Sequence, residues 1–498
     1  MVAAPVGAAS VPDKGLRSNS LGLLSNMAIG LSSTAPAYSL AATLGGVVGH
    51  VQGKAPAMFV VAFLPMLMVA VAYKELASDT PDAGTTFTWG SRAFGPWIGW
   101  MGGWGLAVSA IICLANVAEI SASYLLRFVG LTSLADDRVT VVGFGCLLIV
   151  AMTWVSYRGI VVSERMQNAL MSIQFAVLGV AAAAALWAVY RGTAGPQAVR
   201  PSWDWLDPTG LSASQVAAAV ILCIFLYWGW DACLAVGEET KDSSSTPGRA
   251  AVLATVVLMG TYVLVAVAVQ AYSGFGDSGL GLGNTDNHDD VLTVLGRPVG
   301  GAVLAGLLVL TVALSALSST QSTVLPTARG TLAMAIYEAV PERFARVHPK
   351  YLTPSFGTVV MGGSALAFYL TLALLSRNTL EDSISSLGLA VAFYYAITAF
   401  ACAWYFRRTL RRSARNLLLR LVFPVLGGVA MIWAFAQSAV DMIAPDYGQT
   451  VIGGIGGVFV IGIGMLVLGV PLMIACAVTR PAFFRGRTLP RATASDDA

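Results

Sequence analysis

The sequence predicts an all-α integral membrane protein of about twelve transmembrane helices: an inverted repeat of five plus five, with helices 1 and 6 broken, and two helices appended. Three observations predict it. Hydrophobic residues make up 56% of the 498-residue chain and charged residues only 11%, whereas soluble domains carry roughly 25% charged residues. Apolar runs long enough to cross a bilayer, roughly 20 residues each, recur from Leu21 to Val478 with short polar gaps. Two of these runs are interrupted near mid-membrane, five spans apart. Lipid offers backbone N–H and C=O groups no partner, so the spans must be helices.

The spans fall at roughly 23–46, 55–77, 96–126, 139–157, 166–190, 212–237, 250–273, 298–328, 354–376, 384–406, 417–437 and 451–477. The segments between them alternate between two sides. One side holds Lys54, Arg127, Arg138, Arg191, Arg200, Arg297 and Arg377 alongside twelve Asp and Glu, and the remaining 22 of the 29 Lys and Arg lie with the chain ends. The positive-inside rule then expects both termini in the cytoplasm and an even number of spans in the plasma membrane. The domains follow: a cytoplasmic tail over 1–20 with no signal-peptide core, and a ten-helix core over 21–406 with repeats at about 21–191 and 212–406. Spans 11 and 12 occupy 407–478, and a second cytoplasmic tail 479–498.

Within span 1 the chain runs Gly30-Leu31-Ser32-Ser33-Thr34-Ala35-Pro36. Pro36 cannot donate to the helix ladder, and the Ser and Thr hydroxyls compete for backbone groups. Span 3 carries Asn116 and, three residues on, Glu119, which is expected on the same helical face. Span 6 carries Phe225-Leu226-Tyr227-Trp228-Gly229-Trp230-Asp231. An ionisable side chain inside a span costs about 2.5–3.5 kcal/mol on insertion scales, so Glu119 and Asp231 are functional candidates. Two buried acids with no buried Lys or Arg would make a cavity that favours cations. The plainer reading, a neutral acid or a structural hydrogen bond, stands beside it.

A lone Pro or Gly break reads as a kink in a packed helix. Paired breaks in corresponding positions of two halves instead point to a transporter's binding site. The outer segment Gly274 to Asp290, with Asp277, Asp286, His288, Asp289 and Asp290, reads as a flexible solvated acidic cap, because the ligand spacing of a hard-cation loop is absent. The six cysteines fall within spans and read as small buried hydrophobes. The arginines from Arg407 to Arg420 are expected to fix topology and touch anionic lipid headgroups.

With Pro81-Asp82-Ala83-Gly84-Thr85-Thr86-Phe87-Thr88-Trp89, Ala93-Phe94-Gly95-Pro96, Glu238-Glu239-Thr240-Lys241-Asp242, Thr327-Ala328-Arg329 and Val340-Pro341 in order along the spans, the chain resembles the amino acid-polyamine-organocation (APC) superfamily of permeases from Gly22 to about Trp404. The resemblance implies that Ser32, Ser33, Thr34 and Ala35 offer free backbone groups to the carboxylate and amine of an amino acid. It also implies that Phe225 closes over the substrate, with Tyr227 and Gly229 beside it, that Asn116 lines the pocket, where Glu119 would join it from the same helical face, and that Asp231 is linked to coupling. Aromatic packing is the alternative for Phe225 and Tyr227. The family's commoner Gly-Ser/Thr-Gly is replaced here by Ser33-Thr34-Ala35-Pro36. Where some relatives carry a span-5 lysine, this chain has Gln174, which argues against lysine-based proton coupling. Ser318 and Ser319 could ligate a sodium ion with span-1 carbonyls, or only back-bond within their helix.

The expected function is a secondary active transporter of amino acids, driven by an ion gradient or exchange, with polyamines or other organic amines as the alternative cargo. An ion channel would want filter repeats or rings of charge, and an enzyme a metal triad or nucleophile motif; neither is present in the sequence. Expected partners are a small-molecule substrate and membrane lipids, with no nucleic acid. No cofactor is expected beyond a coupling ion, H+ or Na+.

Overall fold

The computed structural model describes residues 12–284, 287, 290–375 and 377–491. The helices in order are α1 (Leu23–Ser33), α2 (Pro36–Val51), α3 (Ala55–Asp79), α4 (Thr86–Phe94), α5 (Pro96–Phe128), α6 (Thr132–Asp136), α7 (Arg138–Tyr157), α8 (Ile160–Arg191) and α9 (Ala213–Tyr227). They continue with α10 (Ala232–Ala235), α11 (Thr246–Ser273), α12 (Val291–Ile336), α13 (Ser355–Leu375), α14 (Arg377–Tyr405), α15 (Ala414–Leu417), α16 (Phe423–Asp441), α17 (Gly457–Thr479) and α18 (Pro481–Phe484). Sheet among the described residues is one hairpin, Val451–Ile452 with Ile455–Gly456.

Among the described residues, eleven helical segments are long and apolar enough to cross a membrane. The first, Leu23–Asp79, has 57 residues, more than a single crossing of a hydrocarbon layer about 30 Å thick can use. It turns at Gln52–Lys54 and so holds two crossings, which makes twelve. α12 is 46 residues long but bends at Gly300 and Gly301. Gly301 takes φ +71° there, and Gly296 lies against the backbone of Ala305, so the first turns fold back on the crossing that follows. The broken pairs α1/α2 and α9/α10 are enclosed by α3, α8, α11 and α12, while α14 packs against α5 on one side and α16 on the other.

Both ends of the described chain meet at one face, here termed the terminal face. Tyr337 accepts the Thr488 hydroxyl at its carbonyl, and its own hydroxyl donates to Asp82 at 2.7 Å. Lys14, buried, lies 3.2 Å from Asp82 and 2.6 Å from Glu238. Burial pushes the Asp82 carboxyl up, but the Lys14 ammonium, the Tyr337 hydroxyl and the Gly84 amide outweigh it and hold the group below the ordinary carboxylate value. Beside it Arg329, 1% exposed, pairs with Glu239. This corrects the expectation of no buried Lys or Arg: Lys14 is buried, and α12 runs on to Ile336 and carries Arg329 inward with it.

The arginine cluster is also partly internal. Arg415 and Arg420 bond the buried Glu75 of α3 at 2.6 and 2.8 Å; Arg420 is half-buried there, while Arg408, Arg411, Arg412 and Arg415 stay exposed. Of the acidic outer segment, Asp286, His288 and Asp289 lie outside the described residues. Asn287 is buried and donates to the Gly279 carbonyl at 2.7 Å, and Asp290, half-buried, caps α12 through Thr293. A helix start needs such an acceptor for its unpaired N–H groups.

Candidate substrate site

The first break is shorter than the sequence predicts. α1 continues through Ser33, so Ser32 and Ser33 sit in its last turn and only Thr34 and Ala35 leave the helix before Pro36 opens α2. The hydroxyls explain this. Ser32 Oγ donates to the Ile29 carbonyl at 2.9 Å and Thr34 Oγ1 to the Leu31 carbonyl at 2.7 Å, which tightens the turn. Ala35 is left-handed at φ 47°, a state that costs a non-glycine residue about 1–2 kcal/mol. Ser39 holds it there, its Oγ donating to the Thr34 carbonyl at 2.7 Å and its N–H to the Ala35 carbonyl at 2.8 Å.

The second break runs from Trp228 to Asp231, and Gly229 takes φ +113°. The two breaks touch. A Cβ on Gly229 would lie 2.8 Å from the carbonyl carbon of Ser33, and one on Gly30 would strike Cys233 Sγ. Asn26 Nδ2 donates to the Cys233 carbonyl at 3.1 Å and ties the halves together.

Asp231 is 6% exposed and accepts one hydroxyl on each oxygen: Tyr394 to Oδ2 and Tyr395 to Oδ1, both at 3.0 Å. Trp228 Nε1 donates to the Tyr394 hydroxyl at 2.6 Å. Hydrogen bonds to a charged group contribute about 1.5–3 kcal/mol each, so the two phenols together offset a cost of about 2.5–3.5 kcal/mol for the carboxyl at this depth. Asp231 also borders a small cavity of about 20 Å³ with Ser33, Thr85, Gly229, Thr323 and Thr327, room for one water molecule.

A second cavity, about 1000 Å³, lies toward the far face, opposite the terminal one. Tyr38 and Phe225 line it and meet edge to face at 6.4 Å. Ile120, Tyr124, Asp290 and Asp382 join them, as do residues 446–449 of the loop between α16 and α17.

The remaining predicted residues are scattered. Ser319 Oγ donates to the Ser33 carbonyl at 2.9 Å, whereas Ser318 back-bonds to the Ser315 carbonyl at 2.8 Å and receives Gln174 at 3.4 Å. Asn116 is buried and donates to Ser383 Oγ at 3.0 Å. Glu119 is half-buried and interacts with the Tyr369 hydroxyl on α13, apart from both cavities. Tyr227 is buried in the core, its hydroxyl on the Phe59 carbonyl at 3.0 Å.

Sequence reasoning missed Ser315, Tyr394, Tyr395 and Asp382. Ser315 Oγ receives the Ala37 and Tyr38 N–H groups at 3.2 and 3.3 Å, donors that the break had been expected to leave free for a carboxylate. Only the adjacent tyrosines carried a signal, since a buried Tyr hydroxyl inside an apolar span requires a partner.

The chain matches the amino acid permease family over residues 21–461. It is 26% identical over 475 residues to an uncharacterized transporter of Mycobacterium tuberculosis, covering 94% of each chain. It is 23% identical over 402 residues to a low-affinity putrescine importer of Escherichia coli, covering 78% of this chain and 83% of that one. A branched-chain amino acid permease of Bacillus subtilis is 25% identical over 318 residues, covering 61% of this chain and 64% of that one.

Proposed function

Since this chain belongs to the amino acid permease family, we propose that it moves amino acids across the plasma membrane by alternating access, driven by an ion gradient or by exchange, with both termini cytoplasmic. That it is a membrane transporter and not an enzyme follows from the family and its transporter relatives.

The observation that carries the finer reading is the contact of the two helix breaks at Ser33 and Gly229, with the Tyr38–Phe225 pair between that contact and a wide cavity. The cavity lies at the far face and the terminal face is latched by Lys14, so the shape is that of an outward-open state. Substrate would descend to Phe225, and the α1/α2 break with Ser32, Ser33, Thr34 and Ala35 would receive its polar groups. Asn116 and Gly229 would support the pocket from behind, Glu119 and Tyr227 only through packing. Asp231 would carry a coupling proton; a sodium ion held by Ser319 and the Ser33 carbonyl, with Ser318 nearby, is the competing coupling. An organic amine is the second reading of the cargo, favoured by the carboxylates Asp290, Asp382 and Asp446 around the cavity.

Thermal unfolding of the detergent-purified protein against L-leucine, L-arginine and putrescine tests this. A ligand at about a hundred times its Kd adds about 2.7 kcal/mol to the folded state, a shift of several degrees. No shift with any of the three would overturn the reading. Counterflow in proteoliposomes with the stabilising compound then separates exchange from gradient-driven uptake.

A further inference from the structure

We propose that the loop joining α16 to α17 is a wall of the substrate path, and that its Asp446, together with Asp290 at the start of α12, selects organic cations as they enter. The inference rests on the transport reading above and names the substrate class.

Spans 11 and 12 look like additions outside the core when read from sequence. Yet Asp446, Tyr447, Gly448 and Gln449 line the same cavity as Tyr38, Ile120 and Phe225 of the core. The loop is fixed there, not draped over the surface. Asp382, 4% exposed, accepts the N–H groups of Gln449 and Thr450 at 2.9 and 2.7 Å. Gly448 is pressed against it so closely that a Cβ would lie 2.6 Å from Asp382 Oδ1 and 2.7 Å from Val458 Cγ2. From the other end the hairpin closes the loop: Gly457 N–H reaches the Thr450 carbonyl at 2.7 Å and Gly456 N–H the Ile443 carbonyl at 3.0 Å. Asp382 is therefore a positioning residue, with its oxygens committed to backbone.

The charge of the cavity wall follows from its residues. Asp290, Asp382 and Asp446 are acidic, and Arg127, the one basic lining residue among the described residues, is paired with Asp136 at 2.7 Å. A cleft lined by one sign of charge between low-dielectric walls focuses the field and concentrates the opposite ion. The rings of Tyr38, Tyr124, Phe225 and Tyr447 supply faces on which an organic ammonium can rest. A small amine or cationic amino acid fits this lining; an anion does not.

The test reads charge selection without transport. Tyr447→Cys in the full-length protein is labelled in membranes by a cationic and an anionic methanethiosulfonate reagent, with the unsubstituted protein as background, since its native cysteines are buried or half-buried. Relative to the ratio of the two rates with a small thiol in solution, the cationic reagent is expected to be favoured at least about tenfold, the lower end of what a focusing field gives. Asp446→Asn in that background should remove most of the preference. Asp382→Ala should remove it too, by releasing the loop, while Asp382→Asn, which keeps one acceptor, retains more of it. Gln449→Cys provides a second reporter should Tyr447→Cys fold poorly. A ratio equal to that of the small thiol, a ratio unmoved by Asp446→Asn, or no labelling at either position would overturn the proposal. A preserved cation preference with no thermal shift by any of the three test compounds would sink only the cargo reading.

Discussion

Gly229 lies against the backbone of Ser33, with 2.8 Å between its missing Cβ and the Ser33 carbonyl carbon, so that the broken halves of two spans share one point of contact. That spacing and the positive φ of Gly229 leave no room for a side chain. Gly229→Ala is expected to lower the thermal midpoint by several degrees and to abolish uptake, whereas Gly363→Ala on α13, with open space around it, should be neutral or stabilising by up to about 1 kcal/mol from helix propensity. Equal effects of the two substitutions, read by thermal unfolding and uptake, would refute the contact.

Phe225 is half-buried and lines the cavity against Tyr38. Phe225→Ala should weaken binding of the stabilising compound about tenfold, in line with about 1.4 kcal/mol of lost contact, and leave the unliganded thermal midpoint within about a degree. A misfolded or fully active variant would remove Phe225 from the site.

The spans and both breaks were legible because their causes are local: hydropathy over about 20 residues, a ring without an N–H at Pro36, a missing Cβ at Gly229. What fixes the breaks was not. Ser315 caps α2 from 278 residues away along the chain, and Tyr394 reaches Asp231 from 163; nothing in either neighbourhood announces the partner. Helical faces were only half legible. Three residues along a helix leave an offset of about 60°, and α5 has α14 and α13 as neighbours on adjacent sides, so Asn116 reaches Ser383 while Glu119 meets Tyr369. From sequence, Phe225 and Tyr227 are both expected at the substrate, yet one lines the cavity and the other packs on α3.

Lys14 is expected to latch the terminal face. Removing one partner of a buried ion cluster costs about 3–5 kcal/mol, and Lys14→Ala leaves the Asp82 and Glu238 carboxyls facing each other. Burial already pushes the Glu238 group up, so adding Glu238→Gln should recover much of the loss. Thermal unfolding of both variants decides it: a single substitution without effect, or a double variant no better than the single, would show that the tail is not a latch.

Asp231 and its two tyrosines should act as one unit. Tyr395→Phe removes one of the two donors at 3.0 Å and should alter the pH dependence of uptake in the same direction as Asp231→Asn, more weakly, while Glu119→Gln beside Tyr369 should leave it as in the unsubstituted protein. Proteoliposome uptake with and without an imposed pH gradient tells these apart. Wild-type behaviour of Asp231→Asn would make the carboxyl structural and leave Ser319 and the Ser33 carbonyl as the coupling candidates.

The far-face cavity should change its charge preference near pH 6. Burial raises the Asp290 carboxyl to about 6, against the opposing hydrogen bonds of Thr293 and Tyr124 and the charge of Arg127 on α5. A carboxyl raised in this way is neutral below that pH and anionic above it, so the wall gains a negative charge as pH climbs from 5 to 7. At ~7 Å through water one unit charge is worth about 0.6 kcal/mol, roughly threefold on the local concentration of a cation and the inverse on an anion. The ratio of cationic to anionic labelling at Tyr447→Cys should therefore rise by roughly sevenfold over that range. Taking the ratio cancels the ionisation of the thiol itself, which affects both reagents alike. Asp290→Asn should flatten the profile without abolishing the labelling. A ratio constant with pH in the Asp290 protein would show that Asp290 does not set the charge of the wall over this range, and one that still climbs in Asp290→Asn would assign the titration to another group.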